Sequence, residues 1–576
     1  MSPRPTPQGV NSSTFKPAPF DHRLSVPGLY EYHAKNSPNH VVFTYSDLET
    51  STGYDIDYRH AWESISTIAS IVSGYYDARQ DKRNDSKRPV IGILAISDTL
   101  TYIYLLVGIM SLGYTAFPLS PRNSPTVTAH LLEVTGVSQV YVSEDPAMQA
   151  IMRGAFDILH DKGLIVEPLP MIKPTDYAKS SGPGKVVDIG DNDVTVILHS
   201  SGTTALPKPI PITRRGLVNL SNIPCYGDVD LAGKRIAAHT NPMFHAMGLA
   251  SLMVSLSSGA IFAVYKPSLS PTVPTPANFL SSWVSDKCNI VFCVPVFVEA
   301  WSRDSANVQT LRKLDCIVYS GAPVNKAIGD MLVNAGVTMH PFWGNTEIGP
   351  ATMFIPKDTP GTDEWEYFKF SHHIEFVMQP EDKLDGIFEP IMIPTEICFP
   401  HVTNSELDGK RVFAVGDLLE RHPTDTTRWR VFGRKDDQIV LSTGENVNPV
   451  PIETSIAQDE HIMSTIMFGT SHIEPGLLVE PAAGFEVPVG DKKKLLDFID
   501  LIWPTIEKTN VRSPEYCQIK RNMVVVTISA KPLEHTAKGT PRRGVCLKLY
   551  ADEVNALYAE VEKGMDAANR QFHDRV

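Results

Sequence analysis

Between about residue 40 and residue 345 the chain alternates two kinds of apolar pattern. Short uncharged runs rich in β-branched residues recur at Val90–Ile96, Val140–Val142, Val194–Leu198, Ile261–Tyr265, Ile290–Cys293 and Cys316–Tyr319. Helix-like stretches lie between many of them, such as Phe297–Trp301 and Asn325–Ala335. An apolar run without polar alternation suits a strand covered on both faces, and such strands alternating with helices predict parallel α/β architecture. After about residue 436 the texture changes to a smaller α+β segment ending in a charged helix, Ala551 to Lys563. The expected organisation is a flexible Pro-, Ser- and Thr-rich tail over residues 1–28, a large parallel α/β domain over 29–434, and a small mobile α+β domain over 435–576.

One stretch, Thr99 to Pro121, carries no charge and is long enough to span a bilayer. Gly108, Gly113 and Pro118 lie inside it, and a strand-like run precedes it. A buried helix followed by a short strand fits this pattern better than a membrane span.

Length, 576 residues, suggests about four domains of ordinary size; the motifs below argue for one large and one small. The net charge of −13, from 65 acids against 52 bases, leaves no electrostatic footprint for nucleic acid or an anionic membrane. Local bases such as Arg542 and Arg543 remain able to meet phosphates. The seven cysteines are scattered and show no zinc spacing, which fits reduced core thiols in a cytosolic protein.

The most informative segment is VTVILHSSGTTALPKP, Val194 to Pro209. An apolar strand delivers the chain into Ser200, Ser201, Gly202, Thr203 and Thr204, then Lys208. Small residues let backbone N–H groups approach phosphate oxygens, hydroxyls add donors, and lysine adds a point charge. The spacing is not that of a Walker loop. Further on, YSGAP (Tyr319–Pro323), FWGNTEIG (Phe342–Gly349), FAVGDL (Phe413–Leu418) and FGRKDDQ (Phe432–Gln438) follow in order. Each alone reads as a turn or a helix cap.

Together, over roughly residues 30 to 550, these segments resemble the adenylate-forming superfamily: acyl-CoA ligases, luciferases and adenylation domains of nonribosomal peptide synthetases. The texture of LSPRNSP (Leu119–Pro125), PMFHAMG (Pro242–Gly248) and TAKGTPRR (Thr536–Arg543) is most similar to fungal synthetase-like adenylation domains of the carboxylic acid reductase type. The resemblance implies ATP and Mg²⁺ as cofactors, a small carboxylic acid as substrate, and a phosphopantetheine thiol on a carrier domain as acceptor. A carboxylate–CoA ligase using free CoA is the alternative. It implies phosphate binding by Ser200 to Thr204 and Lys208, and an adenine wall at Gly321, Ala322 and Pro323. Trp343 would stack on the base beside Gly344 and Asn345. Thr346 would meet the α-phosphate, Glu347 the metal, and Asp417 the ribose. Arg434 would meet ribose or phosphate, Asp436 would be the hinge, and Thr443 to Asn446 would approach the thiol. His245, Phe297, Phe342 and Gly349 would surround the acid.

The chain departs from the family at three places. Ala205 stands where glycine is usual, Val415 where threonine is usual, and the lysine of the Thr536–Thr540 stretch precedes its glycine. Three readings of Lys538 stay open: a catalytic lysine in a shifted register, a minor partner of Lys208, or a surface lysine. Where amino-acid-activating relatives place an acid against the substrate ammonium, this chain has His245. An ammonium buried without a counter-charge is costly, so an acid without an α-amino group, most simply an aryl acid, is expected.

Overall fold

The computed structural model describes residues 5–77, 88–178, 184–199, 206–358, 361–381, 384–443, 445–536 and 539–561. Two sheets form the frame of the large domain. One runs in the order Glu167–Pro170, Gln139–Val142, Val90–Leu94, Thr115–Pro118, Val194–His199, Pro209–Thr213, parallel until its last, antiparallel pair. The other runs Met339–Pro341, Cys316–Tyr319, Ile290–Cys293, Arg235–Ala237, Ile261–Ala263, Val41–Asp47, Thr52–Asp57, again parallel except at its last pair. Strands such as Gln139–Val142, Ile290–Cys293 and Cys316–Tyr319 are buried at every residue, as uncharged runs require.

The uncharged stretch at Thr99 resolves into helix Thr99–Ser111 and strand Thr115–Pro118. Asp98 caps the helix by accepting from the Thr101 N–H at 2.9 Å, and every residue from Leu100 to Ser111 is buried. A helix apolar all round needs cover all round; helix Tyr58–Asp77 supplies part of it, with Gly108 close against its backbone. Among the described residues no helix is long and apolar enough to cross a membrane. All seven cysteines are free thiols.

Beside the two largely parallel sheets expected, residues 368–434 of the large domain form an antiparallel sheet with its own aromatic cluster. Its strand Glu375–Pro380 alternates exposed and half-buried residues, the pattern of a sheet with one wet face. One expectation is corrected: residues 5–28 are not a free tail. The Thr6 N–H donates to the Cys225 carbonyl at 2.6 Å, Gln8 bonds Pro224 and Val229, and the Gly9 and Val10 N–H groups donate to the Asp230 carboxylate. Phe15 is 4% exposed and fills a slot where a Cβ on Gly259 would lie 2.5 Å from its ring. Helix Val26–Asn36 then begins, capped by Ser25.

The small domain is a three-stranded sheet, Ile462–Phe468, Gly476–Pro481 and Val524–Val526, with helices Pro449–Ile456 and Lys492–Asn510 on its own core. Residues 551–561 form the charged helix expected at its end.

Candidate active site

In open α/β sheets ligands sit outside the carboxyl ends of the strands, and the YSGAP and FWGNTEIG motifs follow two such ends, while FAVGDL and FGRKDDQ lie in the antiparallel sheet. Strand Cys316–Tyr319 leads into Ser320 and Gly321, whose φ of +92° suits glycine. Its neighbour Met339–Pro341 leads into Phe342, and the Ser320 hydroxyl donates to the Phe342 carbonyl at 2.8 Å, joining the two turns. Gly344–Asn345 and Gly349–Pro350 then pair as a tight hairpin with Thr346 and Glu347 at its tip. Asn345 Oδ1 accepts from the Glu347 and Ile348 N–H groups at 3.1 and 3.0 Å, and the Glu347 carbonyl accepts from the His401 N–H at 2.7 Å. A Cβ on Gly344 would lie 2.2 Å from the Gly349 carbonyl, so only glycine closes this turn. Thr346 and Glu347 are half-buried.

Asp417 gathers three motifs. One carboxylate oxygen accepts from the Trp343 indole N–H at 2.7 Å, and the other meets the Arg434 guanidinium at 2.9 Å. A carboxylate offers about four lone-pair positions, so each oxygen keeps acceptor capacity. Burial pulls the Arg434 pKa down, but the charges of Asp417 and Asp436 outweigh it and raise it. Trp343 itself is 8% exposed, stacked on Phe368 at 5.7 Å and 15°, within the aromatic cluster of the antiparallel sheet. Little of its ring is open to a ligand.

Around Asp436 the domains exchange contacts. Arg434 Nε meets Asp436 at 3.0 Å, while the Lys435 N–H donates to the Gly416 carbonyl and its ammonium meets Glu389 at 2.9 Å and Glu381 at 3.1 Å. The next residue, Asp437, lies 3.3 Å from Arg543 Nε. Arg543 in turn grips both oxygens of Glu453 at 2.7 Å and the Met467 carbonyl at 2.7 Å, inside the small domain. Asn448 caps helix Pro449–Ile456 and reaches back to the Phe432 carbonyl. Sequence reasoning missed Asp437 and Asn448, and it read Arg543 as a base able to meet phosphates, whereas its guanidinium is taken up by Glu453 and Asp437; the Asn-Pro pair at 448–449 was a legible helix start.

Other expected site residues are more scattered. His245 stands half-buried at the N-cap position of helix Ala246–Ser258, without a side-chain bond to the first turn. Phe342 packs edge-on against Phe292 and Phe354, whereas Phe297 packs against Phe279 in a separate cluster. Gly349 takes a φ of +72°. Lys208 is exposed, beside strand Pro209–Thr213. Thr536 and Thr540 close a turn through their backbones at 2.7 Å and their hydroxyls at 2.8 Å. Ser200, Ser201, Gly202, Thr203, Thr204, Ala205, Gly444 and Lys538 lie outside the described residues. Among the described residues no cluster of three or more His, Cys, Asp or Glu could hold a metal alone.

Residues 30–369 match the family of AMP-binding enzymes, and residues 436–562 match the C-terminal domain of AMP-binding enzymes. This chain belongs to the AMP-binding enzyme family. It is an adenylate-forming enzyme. It is 35% identical to adenylate-forming reductase Nps10 of Heterobasidion annosum, over 97% of this chain and 52% of that one. It is 26% identical to a carboxylic acid reductase of Neurospora crassa, over 95% and 52%. The chain thus spans about half the length of these curated relatives. Among solved structures, the A domain of a carboxylic acid reductase from Segniliparus rugosus, in complex with AMP and a co-purified carboxylic acid, superposes with a TM-score of 0.68. That match has 15% identity and covers 93% of this chain and 94% of that one. An anthranilate CoA ligase bound to anthranoyl-AMP superposes at 0.67 with 16% identity, over 92% and 98%. At these identities the superpositions speak for the fold alone.

Proposed function

We propose that this chain activates an aryl acid without an α-amino group as its acyl-adenylate, and passes the acyl group to the phosphopantetheine thiol of a carrier domain. The observation that carries the reading is Asp417, held between Trp343 and Arg434. This carboxylate links the Thr346–Glu347 hairpin, the ribose motif and the hinge segment, three stations of the family in one hydrogen-bonded unit.

In the proposed reaction the substrate carboxylate attacks the α-phosphate of ATP in line, and pyrophosphate leaves. The protein's part is positioning and charge neutralisation. Asp417 receives the ribose hydroxyls, and the Gly321–Pro323 turn walls the adenine. Trp343 contributes by fixing Asp417 rather than through an open ring face. Thr346 faces the α-phosphate, with the loop from Ser200 to Thr204 and Lys208 on the pyrophosphate side. One half-buried carboxylate beside a hydroxyl fits Mg²⁺, which takes one or two protein oxygens and completes its shell with phosphate and water; Glu347 would hold it, and it would neutralise phosphate charge. Lys538 would complete the cationic set.

The aryl preference rests on His245, which gives an α-ammonium no counter-charge. A second reading takes free CoA as the acceptor, the co-substrate in the name of the anthranilate CoA ligase that shares the fold. An ATP–pyrophosphate exchange screen over aryl, aliphatic and amino acids tests the first step. Robust exchange with an α-amino acid and none with benzoate-like acids would overturn the substrate reading. Consumption of free CoA would decide for the second acceptor.

A further inference from the structure

Glu389 is a buried carboxylate that the proposed reaction leaves without a task. It is 8% exposed and stands in strand Ile387–Ile393, where that strand changes partners. The first half of the strand pairs with Asp417–Arg421, the second with Lys410–Ala414. The chain that crosses between those two partners is Val415–Gly416, so Glu389 and Pro390 meet the residues that lead into Asp417. The Val415 N–H donates to the Pro390 carbonyl at 3.1 Å, and the Gly416 N–H donates to Glu389 Oε1 at 3.2 Å.

The other oxygen of the same carboxylate reaches the far side of the ribose motif. Glu389 Oε2 accepts from the Nζ of Lys435, the residue after Arg434, at 2.9 Å. The Lys435 N–H in turn donates to the Gly416 carbonyl at 2.8 Å. Three hydrogen bonds thus close a ring through Gly416, Glu389 and Lys435. Asp417 and Arg434 are paired across neighbouring strands, and each is flanked in the chain by a member of this ring.

Gly416 gives the ring its use. Its φ is +74°, and a Cβ there would lie 3.3 Å from Arg434 Nη2. Glycine in such a turn has more conformational freedom than any other residue, and this one stands directly before the carboxylate that meets the ribose. With its N–H on Glu389 and its carbonyl on Lys435, both backbone polar groups of Gly416 are held. Trp343 and Arg434 fix the head of Asp417; the ring fixes its root. Burying a carboxylate costs free energy that its partners only offset, so stability alone does not account for a glutamate at this position.

We propose that Glu389 is a positioning residue for the ribose site, holding Asp417 and Arg434 in register by fixing the residue before the one and the residue after the other. The proposal rests on the adenylation reading, in which Asp417 receives the ribose hydroxyls.

The test is isothermal titration calorimetry of ATP and of 2′-deoxyATP, each with Mg²⁺, on the wild-type chain and on Glu389→Ala, Glu389→Gln and Lys435→Met. Removing a hydroxyl from the reach of a carboxylate should cost the wild type about tenfold or more in affinity. Glu389→Ala should shrink that preference by about threefold or more, weakening ATP more than 2′-deoxyATP, because the Gly416 N–H loses its acceptor. Glu389→Gln and Lys435→Met break the ion pair but keep an oxygen for the Gly416 N–H, so both should fall between wild type and Glu389→Ala. General loosening would instead weaken both nucleotides alike and keep the wild-type ratio. That ratio in Glu389→Ala overturns the proposal; if Glu389→Ala does not fold, the same ratio in Lys435→Met overturns it. A wild type that binds the two nucleotides equally overturns Asp417 as the ribose ligand and the proposal with it. A wild type that binds neither overturns the adenylation reading on which both rest.

Discussion

Asp436 and Asp437 are neighbours in the chain but are fastened to different domains, the first to Arg434 and through it to Asp417, the second to Arg543 and through it to Glu453. A rotation of the small domain that preserves both ion pairs must turn about the bonds between them. Asp436→Pro fixes φ at the pivot, so adenylate formation should survive while thioester formation collapses. Stopped-flow or single-turnover assays of the two half-reactions separate these effects; equal loss in both would show that the pivot lies elsewhere.

The same geometry predicts a latch. Asn448 to the Phe432 carbonyl and Gln438 Nε2 to the Arg434 carbonyl cross the pivot, and rotation breaks them. Asn448→Ala should therefore lower the barrier to leaving this arrangement and make the small domain cleave faster in limited proteolysis. It also removes a helix cap worth about 1 kcal/mol. An unaltered digestion pattern argues that Asn448 serves only as that cap.

Trp343→Phe removes the indole donor to Asp417 and keeps most of the ring packing. A hydrogen bond to a charged group contributes roughly 1.5–3 kcal/mol, so KM for ATP should rise by about tenfold or more. KM for the acid should stay put. A parallel rise in both constants would indicate a loosened aromatic cluster rather than a lost ribose clamp.

Lys538→Ala should slow adenylate formation by about a hundredfold or more, the scale of one lost electrostatic contact. Thiolation from pre-made acyl-adenylate should be spared, because pyrophosphate has already left. Near-normal pyrophosphate exchange would move the role to Lys208.

Four buried histidines set an acid limit. Burial lowers His33, His340 and His401 to about 4 and His373 to about 3, from the ordinary 6.5. Between pH 6.5 and about 4 the unfolded chain binds protons that the folded one refuses. Stability therefore falls as pH drops through that window, by up to about 1.4 kcal/mol per unit for each histidine. Thermal midpoints at pH 7.5, 6 and 5 should decline in order, and His401→Phe should shallow the decline; a flat series would count against buried neutral rings.

What was legible in the sequence was what is contiguous in it. Ile290–Cys293 and Cys316–Tyr319 read as strands because burial on both faces leaves an uncharged run, and the Thr346–Glu347 turn lies whole inside one octapeptide. The antiparallel sheet was hidden by short, mixed strands such as Glu375–Pro380. The Trp343–Asp417 and Arg543–Asp437 contacts join segments 74 and 106 residues apart, and nothing local in either partner announces the other. The N-terminal segment misled for a physical reason: its Pro, Ser and Thr content reads as disorder, yet its N–H groups and Phe15 find partners that only the folded domain supplies.

That last contact has a consequence for how the chain acquires its structure. Phe15 and the residues before it dock on Cys225, Asp230 and Gly259, more than 200 positions later. During synthesis the earliest residues must wait for the late ones, on the order of 10–50 s at ordinary elongation rates. Locking of this segment is thus a high-separation event that cannot precede synthesis of residue 259, when every strand of the first sheet has been made but four strands of the second are still to come.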